Sequence, residues 1–297
     1  MSDGITPTLA ELVALRAAAQ GRRPARRGRL GSSGQAPSPL RGRGMEYAES
    51  REYAAGDDAR HIDWRLTARS GRPHTKLFQA ERERLTLVVA DTAPSLYFGT
   101  RVRFKSVQAA RAGAIAAWIA VRDGDRVAAL RGSGHEPPVP PAGGPRGALR
   151  VLDALVRWYV APPPDDAGLD VALDHALRLL RPGARLVVLA DPASLANVPA
   201  GRWTALAMRA EVHVLLLVDP LETAPPARTL SFRSGESRVR LDLGSDAQRK
   251  RWAEAFIAPA EAALVRLAAR GVHARLLSSE APSDAWLDQL APAGRVA

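Results

Sequence analysis

The chain has 297 residues, 46% hydrophobic and 25% charged, enough for one large core or two modest ones. It has no cysteine, which excludes disulfides, thiolate metal sites and cysteine nucleophiles, and no apolar run of the roughly 18–20 residues that span a bilayer. Of the formal charge of +11, seven Arg with no acidic residue lie between Arg22 and Arg43, and subtracting them leaves +4, so the folded part is only mildly basic.

Positive charge is almost all Arg, the lysines being Lys76, Lys105 and Lys250. A GC-rich genome produces the same usage, so charge alone does not mark a nucleic-acid binder. The N-terminus lacks the charged-then-apolar pattern of a secretory signal, and a cytoplasmic location is the expectation.

Residues 6–21 read as a short helix, with Thr8 and Glu11 at capping-box spacing and Leu9, Leu12, Val13 and Ala17 on one face. Residues 1–21 are assigned to this N-terminal helix, and 22–44, rich in Arg, Gly, Pro and Ser, to a disordered linker. The window "REYAAGDDARHIDWRLTARSGRP" (51–73) follows, inside a segment (45–84) expected to pack on the main domain, residues 85–291.

From residue 85 the pattern becomes regular. "LTLVVAD" (85–91), "ARLVVLAD" (184–191) and "EVHVLLLVDP" (211–220) read as strands buried on both faces, and "DRVAALRG" (125–132) as another strand. Helices are expected at 103–124, 146–160, 169–180, 200–210 and 246–271, the last kinked or interrupted by Pro259. The proline-rich stretch after Gly134 allows at most a short edge piece. "RTLSFRS" and "SRVRLDL" suit a hairpin around Gly235-Glu236; "VHARLLSS" is a last strand and "SDAWLDQL" a last helical turn or two.

Strands and helices in alternation predict an α/β fold, a mostly parallel, Rossmann-like sheet with helices on both faces and ligands at the C-terminal strand ends. Asp91, Asp191 and Asp219 all fall at such ends, a layout that suits a divalent cation, with capping of the next helix or turn as the competing role. Asp219-Pro220 reads more as a turn.

The spaced residues Arg51, Glu52, Tyr53, Gly56, Asp57, Asp58, Arg60, Ile62, Asp63, Trp64 and Arg69, the Asp-ended strand after them and "VDPLE" (218–222) resemble the DUF58 family over roughly residues 40–290. The resemblance implies a von Willebrand factor A-like domain and a partner, a MoxR-type AAA+ ATPase, in assembly, chaperone-like or metal-insertion processes. It also implies a metal-ion-dependent adhesion site for Mg²⁺. "DTAPS" (91–95) keeps Asp91 and Ser95 of that pattern, and Asp191 fits its third-loop Asp. Ala93 and Leu169 stand where hydroxyl ligands are expected, so such a site would bind Mg²⁺ weakly, leaving a degenerate form of the motif.

Two roles stay open for the signature window. Gly56 permits a tight turn, and Arg51, Arg60, Arg65 and Arg69 can pair with Asp57, Asp58 and Asp63 or stack on Trp64 or Tyr53, stapling an irregular segment. Alternatively, Arg51, Arg60 and Trp64 form an exposed recognition patch.

No G-x-S-x-G elbow, phosphate-binding loop or zinc-type histidine spacing is present, and His213, inside an apolar strand, reads as a hydrogen-bonded core residue. The expectation is a non-enzymatic protein-binding module. The alternatives are a nucleic-acid or anionic-surface binder acting through the Arg-rich arm, and a metal-dependent hydrolase using Asp91 and Asp191.

Overall fold

Each central strand carries two alternating apolar sets, and the two sets sort onto two faces. In a computed structural model that describes residues 4–20, 45–80, 84–234 and 237–287, Val88 and Ala90 join one buried cluster while Leu87 and Val89 join the other. Val187 and Leu189 divide in the same way from Leu186 and Val188. Period-2 alternation with both sets apolar leaves a sheet no solvent face, so both sides must be covered.

The elements in chain order begin α1 (Leu9–Ala14), α2 (Arg16–Gln20), β1 (Met45–Glu52), α3 (Trp64–Ser70), β2 (His74–Ala80), β3 (Leu85–Ala90), α4 (Lys105–Arg122), β4 (Arg126–Arg131) and β5 (Val139–Ala142). They continue with α5 (Gly144–Tyr159), α6 (Leu169–Leu179), β6 (Ala184–Ala190), α7 (Ala200–Ala207), β7 (Ala210–Val218), α8 (Pro220–Thr223), β8 (Thr229–Ser234) and β9 (Ser237–Asp242). The last are α9 (Asp246–Trp252), α10 (Ala258–Ala268) and β10 (His273–Ser278). Contacts divide the chain into two compact units, residues 1–28 with 84–297 and residues 29–83.

The larger unit is built on a six-stranded sheet of order β10-β7-β6-β3-β4-β5. All neighbours pair in parallel except β5, a proline-containing edge strand antiparallel to β4. Numbered along the chain, the sheet strands run 3-2-1-4-5-6 from β5, so the winding reverses between β3 and β6. The chain is therefore mixed α/β with a central, mostly parallel sheet flanked by helices. One face is covered by α4 and α5, with Trp118, Leu155 and Trp158 in that core; the other buries Leu173 of α6, Trp203 of α7 and Leu267 of α10. Each such side chain, fully buried, contributes about 1.5–3 kcal/mol of transfer free energy.

The N-terminal segment differs from the single helix expected over 6–21. It breaks at Leu15 into α1 and α2, and the face it buries is Leu12 and Ala19, while Leu9 and Val13 stay exposed. The cause is tertiary: α4 is buried from Lys105 to Ala120 except at Arg111, so it needs a cover. Trp118 donates its indole N–H to the Leu12 carbonyl at 3.0 Å, and Arg122 donates to the Ala19 carbonyl at 2.9 Å. Thr8 caps α1 as expected, accepting from the Glu11 N–H at 3.3 Å.

As expected, the long C-terminal helix is interrupted, just before Pro259. Residues Ala253–Ile257 form a π-turn between α9 and α10, which absorbs the missing proline N–H. Residues 283–286 form turns, Leu287 begins a 3-10 turn, and Trp286 is buried there. The 22–44 linker, the Gly235-Glu236 hairpin tip and residues 288–291 lie outside the described residues.

The smaller unit holds β1 and β2, an antiparallel pair with a register shift between Tyr47 and Glu49, and α3. Asp63 caps the start of α3, and Gly71 ends it in the left-handed conformation, φ 72°.

Candidate functional site

The reversal point between β3 and β6 is where an open α/β sheet leaves a crevice at its strand ends. β3 runs into Asp91 and β6 into Asp191, and the structure brings the two together. The Asp191 N–H donates to Asp91 Oδ2 at 2.9 Å, and the Asp91 N–H donates to the Leu189 carbonyl at 2.9 Å. Asp91 Oδ1 accepts from the Ala93 N–H at 3.1 Å. Asp91 is 2% exposed, and burial pushes its carboxyl from 3.8 up to about 6, against the hydrogen bonds that favour the anion.

The loop after β4 closes one side of this pole. A Cβ on Gly132 would lie 2.1 Å from the Gly168 carbonyl oxygen, so only glycine lets the two loops touch. That contact, with the Ala167 N–H bonded to the Gly132 carbonyl at 2.8 Å, places Asp166 to accept from Thr92 Oγ1 at 3.1 Å. Leu169, at the head of α6, is buried in the core, and Asp170 pairs with Arg202 at 3.2 Å.

The central cation of the pole is a lysine. Lys105, 1% exposed at the start of α4, sets its Nζ 2.7 Å from Asp191 Oδ2 and 2.6 Å from Glu222 Oε1. Burial opposes its charge, but the Asp191 and Glu222 carboxylates outweigh burial and hold its pKa above the usual lysine value. Burial raises the Glu222 carboxyl, with Lys105 opposing. The other Glu222 oxygen accepts the Asp219 N–H at 2.8 Å, closing a capping box at the head of α8. Asp219 is fully buried and accepts from the Thr100 and Leu221 N–H groups, both at 3.0 Å, and from Ser279 Oγ at 2.7 Å. It is the cap of a short helix and a tie to the loop before α4, in keeping with its reading as a turn residue.

These donors do not fit a divalent cation as they stand. Asp191 spends Oδ2 on Lys105 and Oδ1 on the Ala193 N–H at 2.9 Å, and both Asp91 oxygens accept backbone N–H groups. Ser95 is exposed on the turn Pro94–Leu96, with no hydrogen bond to either Asp among the described residues. Among those residues no group of three or more His, Asp or Glu could hold a metal ion. Sequence reasoning missed Lys105 and Glu222; the signal was there, one of three lysines in an Arg-dominated chain, at a helix start after an Asp-ended strand.

The signature unit assembles differently. Gly56 adopts φ +106°, and Asp57 beyond it accepts from Arg51 Nη2 at 2.7 Å and from the Ala54 N–H at 2.9 Å, while Tyr53 donates its hydroxyl to the Asp57 carbonyl at 3.1 Å. Asp58 caps the turn Ala59–His61 and takes Arg60 in a bidentate pair at 2.9 and 3.1 Å, which lowers its carboxyl to about 2. Asp63 accepts from the Leu66 N–H at 3.1 Å and from Ser50 Oγ at 3.0 Å. The expected Arg51 and Arg60 pairs therefore form. Arg65 and Arg69 are instead exposed and have no ion-pair partner among the described residues, because Asp63 is taken up by capping. No guanidinium stacks on Trp64 or Tyr53 among them; the stack observed is Arg16 over Trp118, 5.5 Å from the ring centroid. Trp64, the first residue of α3, is 70% exposed.

His213 is a core residue, 5% exposed and hydrogen-bonded to Glu211 at 3.0 Å. No helix among the described residues is long and apolar enough to cross a membrane.

A family model described as "Protein of unknown function DUF58" matches residues 49–261. The chain is also similar to the uncharacterized proteins Rv1480 and MT1527 of Mycobacterium tuberculosis and Mb1516 of Mycobacterium bovis. Each is 33% identical over 253 residues, covering 83% of this chain and 77% of the relative. No solved structure matches it.

Proposed function

The chain belongs to the DUF58 family, and we propose that it works there as a non-enzymatic protein-binding module, an adaptor built on a von Willebrand factor A-like domain that serves a MoxR-type AAA+ ATPase. The observation that carries this reading is the exposure of Trp64. The chain has six tryptophans; Trp118, Trp158, Trp203, Trp252 and Trp286 are each at most 8% exposed, whereas Trp64 is 70% exposed. It opens α3 just after a turn stiffened by Arg51–Asp57 and Arg60–Asp58, with Arg65 and Arg69 exposed on the same short helix. A preorganised Trp among arginines is the composition of an interface anchor. The strand order, with its antiparallel edge strand after the second sheet strand, is consistent with an A-type domain. The choice of an ATPase as partner follows from the family resemblance of the signature.

In this reading recognition runs without a metal bridge, because the Lys105 ammonium already occupies the Asp191 carboxylate that a metal ion would need. The test is a pull-down from native lysate with the tagged protein, in Mg²⁺ and in EDTA, with mass spectrometry of what is retained. An AAA+ ATPase held in both conditions, and lost with Trp64→Ser, is the expected result. Retention in Mg²⁺ alone would restore a metal-bridged contact through Asp91 and Asp191, and no discrete protein in either condition would reject the module.

The seven arginines between Arg22 and Arg43 favour a second reading, an arm for nucleic acid or another anionic surface. It requires binding that falls steeply with salt and disappears when residues 22–43 are deleted.

A further inference from the structure

We propose that the groove between the β8–β9 hairpin and the π-turn after α9 is the docking site for an acidic peptide segment of a partner protein, which inserts one bulky apolar side chain there. The proposal rests on the reading of the chain as a protein-binding module, and it names a surface and a partner chemistry for it.

The hairpin is amphipathic by register. Leu230 pairs with Leu241 and Phe232 with Val239, while the alternate pairs are Ser231 with Arg240 and Arg233 with Arg238. Successive side chains of a strand point to opposite faces, so one face is apolar and the other basic. The apolar face is only partly covered: Val239 is 51% exposed. Below it, the Phe232 and Trp252 rings lie 5.7 Å apart, and those of Trp252 and Phe256 4.5 Å apart. Trp252 is fixed by its indole N–H, which donates to the Leu221 and Glu222 carbonyls at 3.2 and 3.1 Å. Between these elements lies a cavity of about 500 Å³, lined by Phe98, Phe232, Leu241, Leu243, Trp252 and Phe256, with a polar lining of Ser95, Gln248, Arg251 and Glu222, whose carboxylate is paired with Lys105. That is the size of a site for one large side chain and its neighbours.

Two further observations point to an occupant. The π-turn presents Ala255 and Phe256 to the cavity, and such turns inside helices recur at functional sites. The margin carries positive charge: Arg251 lines the cavity and Lys250 precedes it on α9. Arg249 is paired with Asp246, but Lys250 and Arg251 have no ion-pair partner among the described residues, while Arg238 and Arg240 stand on the opposite face of the hairpin. An apolar floor under a positive rim selects an apolar anchor flanked by carboxylates. The arm at 22–43 has the wrong sign to fill the groove, and a second copy would bring the same positive rim. A nucleic acid would satisfy the charge, but a base in so apolar a lining would leave its ring-edge polar atoms unpaired.

The test uses the full-length protein and short fluorescein-labelled peptides with a central Leu or Phe flanked by Glu, read by anisotropy. Matched peptides carry Ala in place of the anchor or Lys in place of Glu. The expected result is binding of the acidic, anchored peptides, weakened about tenfold or more by either change and by Arg251→Glu or Ala255→Trp. Both residues are exposed, and circular dichroism and the thermal midpoint of each variant confirm its fold. Equal binding to both variants, equal binding of the Lys-flanked peptides, preferred binding of oligothymidylate, or a dimer that Ala255→Trp dissociates would each overturn the proposal. The pull-down separates the two failures: a partner retained by wild type and equally by both groove variants removes the groove and leaves the module, whereas no partner on wild type removes the module itself.

Discussion

Two charge-dense regions of this chain invite the same functional reading and turn out to be opposites. At the strand ends Lys105 is 1% exposed between Asp191 and Glu222, and nearly every oxygen is matched to a donor. In the signature unit the Arg60 and Asp58 side chains are 73% and 37% exposed and pair in water. A buried ion whose partner is removed is left uncompensated, so that region cannot change without consequence for the fold; an exposed pair in high dielectric is nearly free to change. Dense charge in a sequence does not tell these cases apart. Burial does: it makes the strand-end cluster architectural and leaves the signature exposed, as the proposed recognition role requires.

The largest expected effect breaks the buried side of this comparison. Lys105→Met leaves Asp191 and Glu222 without their cation, and urea unfolding should show a loss of about 3–5 kcal/mol. Combining it with Asp191→Asn and Glu222→Gln should recover a large part of that loss, since neutral groups no longer need the cation. A single variant as stable as wild type would mean that the triad is open to water.

Next in size is a pH effect. The folded-state carboxyl of Asp91 is raised from 3.8 to about 6, so between those values the folded chain keeps a proton that the unfolded chain has released. Stability from this group is fully present below about pH 4 and is lost as pH rises through 6. Relative to Asp91→Asn, which does not titrate, wild type should therefore lose on the order of 2 kcal/mol between pH 4 and pH 7, and then level off. A difference that grows in favour of wild type over that range would reverse the assignment of burial as the dominant cause.

The same contrast explains what the sequence could carry. The strands β3, β6 and β7 were legible as apolar runs, and the meeting of Asp91 with Asp191 follows from two Asp-ended strands side by side. The Lys105–Glu222 pair was not legible, because its members are 117 residues apart and one of them serves first as a capping-box residue. The break at Leu15 was hidden for a related reason: periodicity reports a face, and α4 demanded a different one. Trp64 and Trp252 look alike in sequence, each a tryptophan beside arginines, yet one is 70% exposed and the other 8%, the second because its indole is tied to the α8 carbonyls.

Smaller effects sharpen the exposed side. Gly56 holds φ +106° with open space around it, so Gly56→Ala meets backbone strain and no collision. The cost should be about 1 kcal/mol, seen as faster hydrogen exchange of the β1–β2 amides and not of the central sheet. Unchanged exchange in β1–β2 would mean that the turn relaxes without strain.

The smallest stability effect carries the most functional weight. Trp64→Ser removes an exposed ring that contributes to no core cluster, so the thermal midpoint should stay put and the unfolding free energy should change by no more than about 0.5 kcal/mol. Partner retention in the pull-down should nonetheless fall about tenfold or more, because a buried Trp anchor commonly dominates an interface. A stable variant that still holds its partner would move recognition away from the signature. A destabilised one would mean that Trp64 is covered within the fold, and the division between an architectural cluster and a recognition surface would fail at the residue on which it most depends.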